Sequence, residues 1–365
     1  MSEGHATPAL PEVRTGQGST KLSRNEFEAR YLEQFADPAF DIARADIGRV
    51  AKIAWEVYQE ERKSPRTRKA GAGFANPEHE LSIEWLAARA RIQEAQSQFE
   101  SRYGAARILL ICASPRTDET CPGEMSKTFR LARQARKCFE AKPGCLVDFL
   151  DLSELTSEYG RQIHPCKACV STAMPLCHWP CSCYPNHYMG QIHDWMNDLY
   201  PRWVAAHGVM IISPVHWYQA PSVLKLMMDR LVCADGGNPD PTTTDGKDAA
   251  KAKAMELKGW HYPKHLAGRI FSVITHGDAE GTSGLRRDLH DWLLEMELVP
   301  AGAPAVFDRY IGYYEPYAAS HEALDRDDKL MKEVENAALT LREAVNEMRD
   351  GRRAPGRDLA APRSK

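Results

Sequence analysis

The sequence predicts an α/β fold: a doubly wound parallel sheet of five strands, preceded by a helical extension. Three observations carry this. From residue 107 onward, short apolar runs alternate with helical stretches. The runs at 107–112 (RILLIC) and 208–213 (GVMIIS) are apolar at almost every position, as strands covered on both faces are. Before residue 104 the periodicity is helical and no strand pattern intervenes.

In chain order, residues 1–23 are rich in Gly, Ser, Thr and Pro and are expected to be disordered. Ile47, Val50, Ala54, Val57 and Tyr58 recur at helical spacing, and so do Leu81, Trp85, Ala88 and Ile92. The basic connection between these two helices, KSPRTRKAGAG, reads as a solvated loop. Together 24–103 form the predicted extension, 104–350 the main domain and 351–365 a disordered tail. Within the main domain the first strand leads to a helix over 124–141, and a second strand covers 145–152. A cysteine-rich loop and a helix over 188–205 come next. The third strand is followed by a helix over 220–233. Residues 235–267 form a polar insertion, read as a surface loop or lid. A fourth strand covers 269–275 and a helix 281–295. A weaker fifth strand covers 299–307, interrupted by Pro300 and Pro304, and a final helix runs over 327–348.

Composition narrows the function classes. The chain has 365 residues with 47 basic and 50 acidic side chains, so no global field draws it to nucleic acid or to a membrane surface. No apolar run is long enough to span a bilayer, and the first twenty residues lack the charged and apolar regions of a secretory signal. A cytoplasmic setting is expected. Five of the ten cysteines fall between positions 166 and 183, which reads as a local site rather than a disulfide framework.

In a doubly wound sheet the loops after strands one, three and four converge at the carboxyl edge. Here they read SPRTDETCPGEMSKT, SPVHWYQAPSVLK and THGDAEGTSG. The first offers hydroxyls and a guanidinium (Ser114, Arg116, Thr117, Ser126, Lys127 and Thr128) at a helix N-terminus, which suits a phosphate monoester. The second, Pro214-Val215-His216-Trp217-Tyr218, offers an aromatic wall, with Trp217 the ring expected to stack. The third offers His276, Gly277 and Gly281, with the glycines permitting close backbone approach. A phosphorylated planar molecule such as flavin mononucleotide (FMN) fits this set. The G-x-G-x-x-G of a dinucleotide fold is absent.

Residues 107–348 resemble the flavodoxin-like NADPH-dependent FMN reductases, in the branch that includes iron–sulfur flavoproteins. The resemblance lies in Ser114-Pro115-Arg116 with Ser126-Lys127-Thr128, in Ile212-Ser213-Pro214-Val215-His216-Trp217, and in Leu224-Lys225 with Asp229-Arg230-Leu231. It implies strand order 2-1-3-4-5, with the FMN phosphate at the first loop and the isoalloxazine along the second. It also implies hydride transfer from NAD(P)H through FMN to a quinone, free flavin or other small electron acceptor. No catalytic acid or base is required. A homodimer or homotetramer is expected. His216 departs from the family's usual tyrosine, and the phosphate loop is longer than usual between Arg116 and Ser126. Lys225 and Arg230 read as architectural, pairing with Asp229 or its neighbours.

Cys166, Cys169, Cys177, Cys181 and Cys183 leave three readings open: packed apolar thiols, a [4Fe–4S] cluster, or zinc completed by His178 and His187. The iron–sulfur branch carries four closely spaced cysteines in this loop, and Thr172 stands where that pattern has its third. Two other functional classes accompany the reductase reading. One is an electron carrier with an Fe–S cluster, and the other a non-enzymatic flavin-binding module. Trp195 and Trp203, within a predicted helix, read as core. Tyr310, Tyr313, Tyr314 and Tyr317 read as an interface patch.

Overall fold

The computed structural model describes residues 11–120 and 123–353. The expectations for 1–10 and for 354–365 lie outside the described residues. Residues 11–22 carry no regular structure, and Lys253 Nζ donates to Glu12 O at 2.6 Å.

The extension holds three helices: α1 (Arg24–Glu33), α2 (Arg44–Gln59) and α3 (Ile83–Glu100). α1 was not expected; it starts at a capping box in which Ser23 and Glu26 satisfy each other's backbone N–H groups. The basic connection is not a plain loop, because β1 (Thr67–Lys69) pairs antiparallel with β2 (Glu80–Ser82). Ser82 then caps α3 by accepting from Trp85 N.

The main sheet is parallel. It contains β3 (Ala106–Cys112), β4 (Cys145–Asp151), β5 (Gly208–Pro214), β6 (Ile270–Gly277), β7 (Val299–Pro300) and β8 (Val306–Tyr310), in the order β4-β3-β5-β6, with β7 and β8 both on β6. Six strands stand where five were expected. Pro300 and Pro304 lack N–H donors, and Gly302 lies between them at φ 151°. The ladder therefore breaks into two short segments, β7 and β8.

The connecting helices are α4 (Lys127–Glu140), α5 (Glu154–Ser157), α6 (Met196–Ala205), α7 (Ser222–Arg230), α8 (Ala249–Leu257), α9 (Thr282–Glu295), α10 (Ser320–Asp325) and α11 (Asp328–Arg349). α4 and α11 cover one face of the sheet. Leu131, Ala135 and Phe139 of α4 and Val334, Leu341 and Val345 of α11 share a fully buried cluster with Ile108, Leu110 and Ile212. α6, α7 and α9 cover the other face through Leu199, Trp203, Leu224 and Leu289. α3 joins that same cluster through Ile92 and Ala95, so the extension is part of the core and not an appended lobe.

Two further readings are corrected. The α-helix expected over 188–205 begins only at Met196, because residues 186–195 hold a single 3-10 turn (His187–Met189) and otherwise spend their backbone groups on other segments. His187 N donates to Lys63 O, and Asn186 N pairs with Gln191 O. The polar insertion is neither a surface loop nor a lid. Asn238, Thr242 and Thr244 are buried, and Asn238 bridges the cysteine loop: its N–H donates to Cys177 O at 2.6 Å, and its carbonyl accepts from Trp179 N at 2.8 Å.

Candidate functional site

Three loops meet at the carboxyl edge of the sheet. Ser126 forms the N-cap of α4 by accepting from Phe129 N at 3.1 Å. Two residues on, in the first turn of α4, buried Thr128 reaches across to the end of β6, where its Oγ1 lies 3.0 Å from His276 Nε2. His276 O accepts from Val215 N at 2.8 Å, tying the loop after β5 to the same point. The loop after β5 is a tight hairpin, with mutual His216 and Gln219 backbone bonds at 2.9 Å. Its central pair, Trp217 and Tyr218, sits at φ 47° and 67°, the two left-handed residues such a turn requires.

The third loop fits against this hairpin only because it carries glycines. A Cβ at Gly277 would stand 2.4 Å from Val215 Cγ1. One at Gly281, where φ is +108°, would stand 2.8 Å from Tyr218 Cα. Thr275 Oγ1 donates to Thr282 O at 2.9 Å and fixes the turn into α9.

The electrostatics of this edge favour an anion. Ser114 is 3% exposed and accepts from Arg116 N; the Arg116 guanidinium donates to Glu124 O at 3.1 Å. Lys127 lies at the α4 N-terminus, its pKa lowered by desolvation against the pull of Asp278 and Glu124. His276 is pushed down to about 3, first by burial and then by Lys127 and His216, so its ring is neutral. Two buried polar atoms here, Arg116 Nε and His276 Nδ1, have no hydrogen-bond partner among the described residues. A helix N-terminus, an ammonium group and the Arg116 Nε–H are donors suited to an anion, and the His276 Nδ1, donor or acceptor according to the ring's tautomer, suits an adjoining polar group.

Several residues lie elsewhere than expected. Trp217 is 95% exposed, so it does not stand as a wall of an enclosed ring site, and Tyr218 is also exposed. His276, read as a residue of the loop after the fourth strand, is instead buried at the end of β6. Thr117 is engaged within its own turn, its N–H donating to Thr120 Oγ1 at 3.1 Å. Lys225 pairs with Asp229 on the surface, but Arg230 turns inward to Asp194, with a side-chain nitrogen and oxygen 2.6 Å apart and both side chains at 1% exposure or less. Trp179 is core and stacks on His265 at 4.9 Å, and Trp195 and Trp203 are buried as expected.

The cysteine loop forms a second locus. Cys169 Sγ lies 3.4 Å from Cys183 Sγ, and Lys247 Nζ lies 3.6 Å from Cys169 Sγ. Neither histidine completes a zinc site. His178 is bound between Ser182 Oγ and Thr244 Oγ1, and His187 faces Glu84. Among the described residues no group of three or more His, Cys, Asp or Glu side chains is arranged to hold a metal ion; of Cys166, Cys169, Cys177, Cys181 and Cys183, it is Cys183 that meets both Cys169 and Cys181. Sequence reasoning missed Lys247. It has no local signal, because it acts on a segment far from it in the chain.

The fold is that of a doubly wound α/β protein, with the first strand-to-helix turn at the carboxyl edge of the sheet. The chain belongs to the NADPH-dependent FMN reductase family, whose model matches residues 106–310, and that family is one of FMN-dependent oxidoreductases. It is 28% identical over 160 residues to an iron-sulfur flavoprotein of Methanocaldococcus jannaschii, a match spanning 43% of this chain and 65% of that relative. Among solved structures it is similar to RosB with bound 8-demethyl-8-formylriboflavin-5'-phosphate, at 12% identity and TM-score 0.47, over 68% of this chain and 82% of that one. An oxidoreductase from Corynebacterium diphtheriae is similar at 14% identity and TM-score 0.38, over 67% and 99%. Among the described residues no helix is long and apolar enough to cross a membrane.

Proposed function

We propose that this chain is an NAD(P)H-dependent oxidoreductase whose FMN lies along the carboxyl edge of the sheet and whose acceptor is a quinone, a free flavin or another small molecule. The observation that carries the reading is the Thr128–His276 link, which brings the first turn of α4 and the end of β6 together with two buried nitrogens unpartnered. Ser114, Arg116, Thr117, Ser126, Lys127 and Thr128 would meet the phosphate, assisted by the dipole of α4. Pro214, Val215, His216, Trp217 and Tyr218 would line the ring, with His276 and Gly277 beneath it. The Val215 and His216 N–H groups are already engaged within the fold. This loop would therefore contribute shape and ring contact more than those two donors.

FMN bound here would supply hydride acceptance from the nicotinamide and delivery to the acceptor. The chain's own part is to hold the anion, keep the His276 ring neutral and exclude water from beneath the ring. Trp217, Tyr218, Tyr314 and Tyr317 are exposed around this edge and give a surface for a second subunit, consistent with a homo-oligomer. The test is Arg116→Ala, which is expected to leave the far-ultraviolet circular dichroism unchanged and to weaken FMN binding about tenfold or more, the effect of removing one charge-assisted phosphate contact. Unchanged FMN affinity, measured by quenching of flavin fluorescence, would count against the assignment.

A further inference from the structure

We propose that Cys169 and Cys183 are a reversible thiol–disulfide pair, with Cys169 the attacking thiolate, Cys183 the resolving thiol and Lys247 the cation that holds the thiolate. The geometry is complete without a metal. The two sulfurs are 3.4 Å apart although the residues are 14 positions apart in sequence. Cys169 is partly exposed and Cys183 is 6% exposed, the arrangement in which one thiol meets a solvent-borne partner and the other waits behind it. Lys247 Nζ sits 3.6 Å from Cys169 Sγ and donates to Leu176 O at 2.6 Å, so the ammonium is aimed at the sulfur by a backbone carbonyl.

The other thiols of the chain set this one apart. Burial pushes Cys112, Cys145, Cys166, Cys177 and Cys233 up, and Cys181 is raised by its bond to Cys183 and by burial. Cys169 alone among the described cysteines is pushed down, to about 6, by the hydrogen bond with Cys183 and by Lys247, against desolvation. The groups facing it are Cys183 and Cys181 from its own loop and Lys247 from the insertion. Lys63, from the extension, donates to Ser182 O and lies in the field of Cys181 and Cys183.

Three segments far apart in sequence build this locus. The extension contributes Lys63 and Trp85, whose Nε1 donates to Pro180 O at 2.9 Å. The insertion contributes Lys247, Thr244 and Asn238. Arg230 and Asp194 anchor the loop from beneath, with Arg230 donating to His164 O at 2.9 Å and lying 4.6 Å from the Tyr184 ring centroid. An ordinary surface loop needs no such bracing.

The partner is a small disulfide such as oxidised glutathione. The Cys169 thiolate attacks one of its sulfurs, that S–S bond breaks, and one glutathione leaves as thiolate, which takes up a proton. Cys183 then gives up its proton to solvent and attacks the Cys169 sulfur, expelling the second glutathione thiolate. Two protein thiols are oxidised by two electrons, and one small disulfide is reduced to two thiols. The inference does not depend on the flavin reading.

The experiment uses the full chain purified without oxygen, assayed for iron and acid-labile sulfide, and then treated with oxidised glutathione and mapped by mass spectrometry. The expected result is loss of two hydrogens, with one peptide cross-link joining Cys169 to Cys183. Cys183→Ser should instead trap glutathione on Cys169, and Cys169→Ser should abolish both products. Lys247→Met should slow iodoacetamide alkylation of Cys169 at neutral pH severalfold or more, roughly as the thiolate fraction falls. Stoichiometric iron and sulfide would overturn the proposal, because the cysteines would then be cluster ligands. A cross-link between other cysteines, no reaction of the wild-type chain, or a Cys183→Ser chain that traps nothing would overturn it as well.

Discussion

His276 links several parts of the candidate site through one ring: Nε2 meets Thr128, the carbonyl meets Val215 N, and Nδ1 has no partner among the described residues. Its pKa in the folded chain, about 3, lies below the ordinary histidine value of 6.5. Between those two values the unfolded chain binds a proton that the folded chain does not. The stability associated with the neutral ring is therefore fully present above pH 6.5 and is lost as pH falls toward 3. His207 and His265, both pushed down to about 4 by burial, act in the same direction. His276→Asn is expected to reduce the steepness of the fall in stability across this range by close to one proton's worth. Urea denaturation at a series of pH values measures it. An unchanged slope would show that the ring is not held neutral.

At the scale of elements, the loop after β5 and the turn into α9 are built as a pair. Gly281 admits no Cβ without a clash against the Tyr218 backbone, and its φ of +108° is one that other residues adopt only under strain. Gly281→Ala is expected to cost about 1–3 kcal/mol and to move the Trp217–Tyr218 turn, lowering FMN retention more than Gly284→Ala, where nothing lies within 4 Å. Thermal denaturation and flavin titration of the two variants decide it.

The same contrast explains what the sequence makes legible. Strands buried on both faces, such as Ala106–Cys112 and Gly208–Pro214, announce themselves by unbroken apolar runs, and α4 by the Ser126 cap and its spacing of Leu131, Ala135 and Phe139. The meeting of three loops follows from the topology once those elements are placed. What stays hidden are contacts between distant segments. Asn238 on Cys177, Lys247 on Cys169 and Lys63 on Ser182 have no periodicity, because a polar side chain buried by a remote partner looks locally like a surface residue. The insertion 235–248 is polar in composition for this reason: it buries hydrogen bonds rather than apolar area.

The whole molecule divides the extension into two parts of unequal weight. In α1 no residue is buried, and in α2 only Ala51 is. The helices meet each other through the rings of Phe27, Trp55 and Tyr58, and they border a 590 Å³ cavity against residues 187–192. α3 is different. Trp85, Ala88, Ile92 and Ala95 are buried, Ile92 and Ala95 in the same cluster as Trp203 and Leu199, and Arg91 reaches Asp198 of α6. Burial of Leu81, Trp85 and Ile92, at about 1.5–3 kcal/mol for each large side chain, supplies ~5 kcal/mol or more, which is comparable with the whole stability of an ordinary domain. A chain beginning at Glu61 keeps Lys63, the β1–β2 hairpin and α3, and is expected to melt within a few degrees of the full chain. A chain beginning at Gly104 loses α3, the Trp85 bond to Pro180 and the Lys63 bond to Ser182, and is expected to aggregate or to melt at least 10 °C lower, roughly what that loss implies for a domain of this size. Differential scanning calorimetry of the two truncations separates these outcomes. A stable chain from Gly104 would mean that α3 only lies against the sheet layers and that the family fold is complete without it.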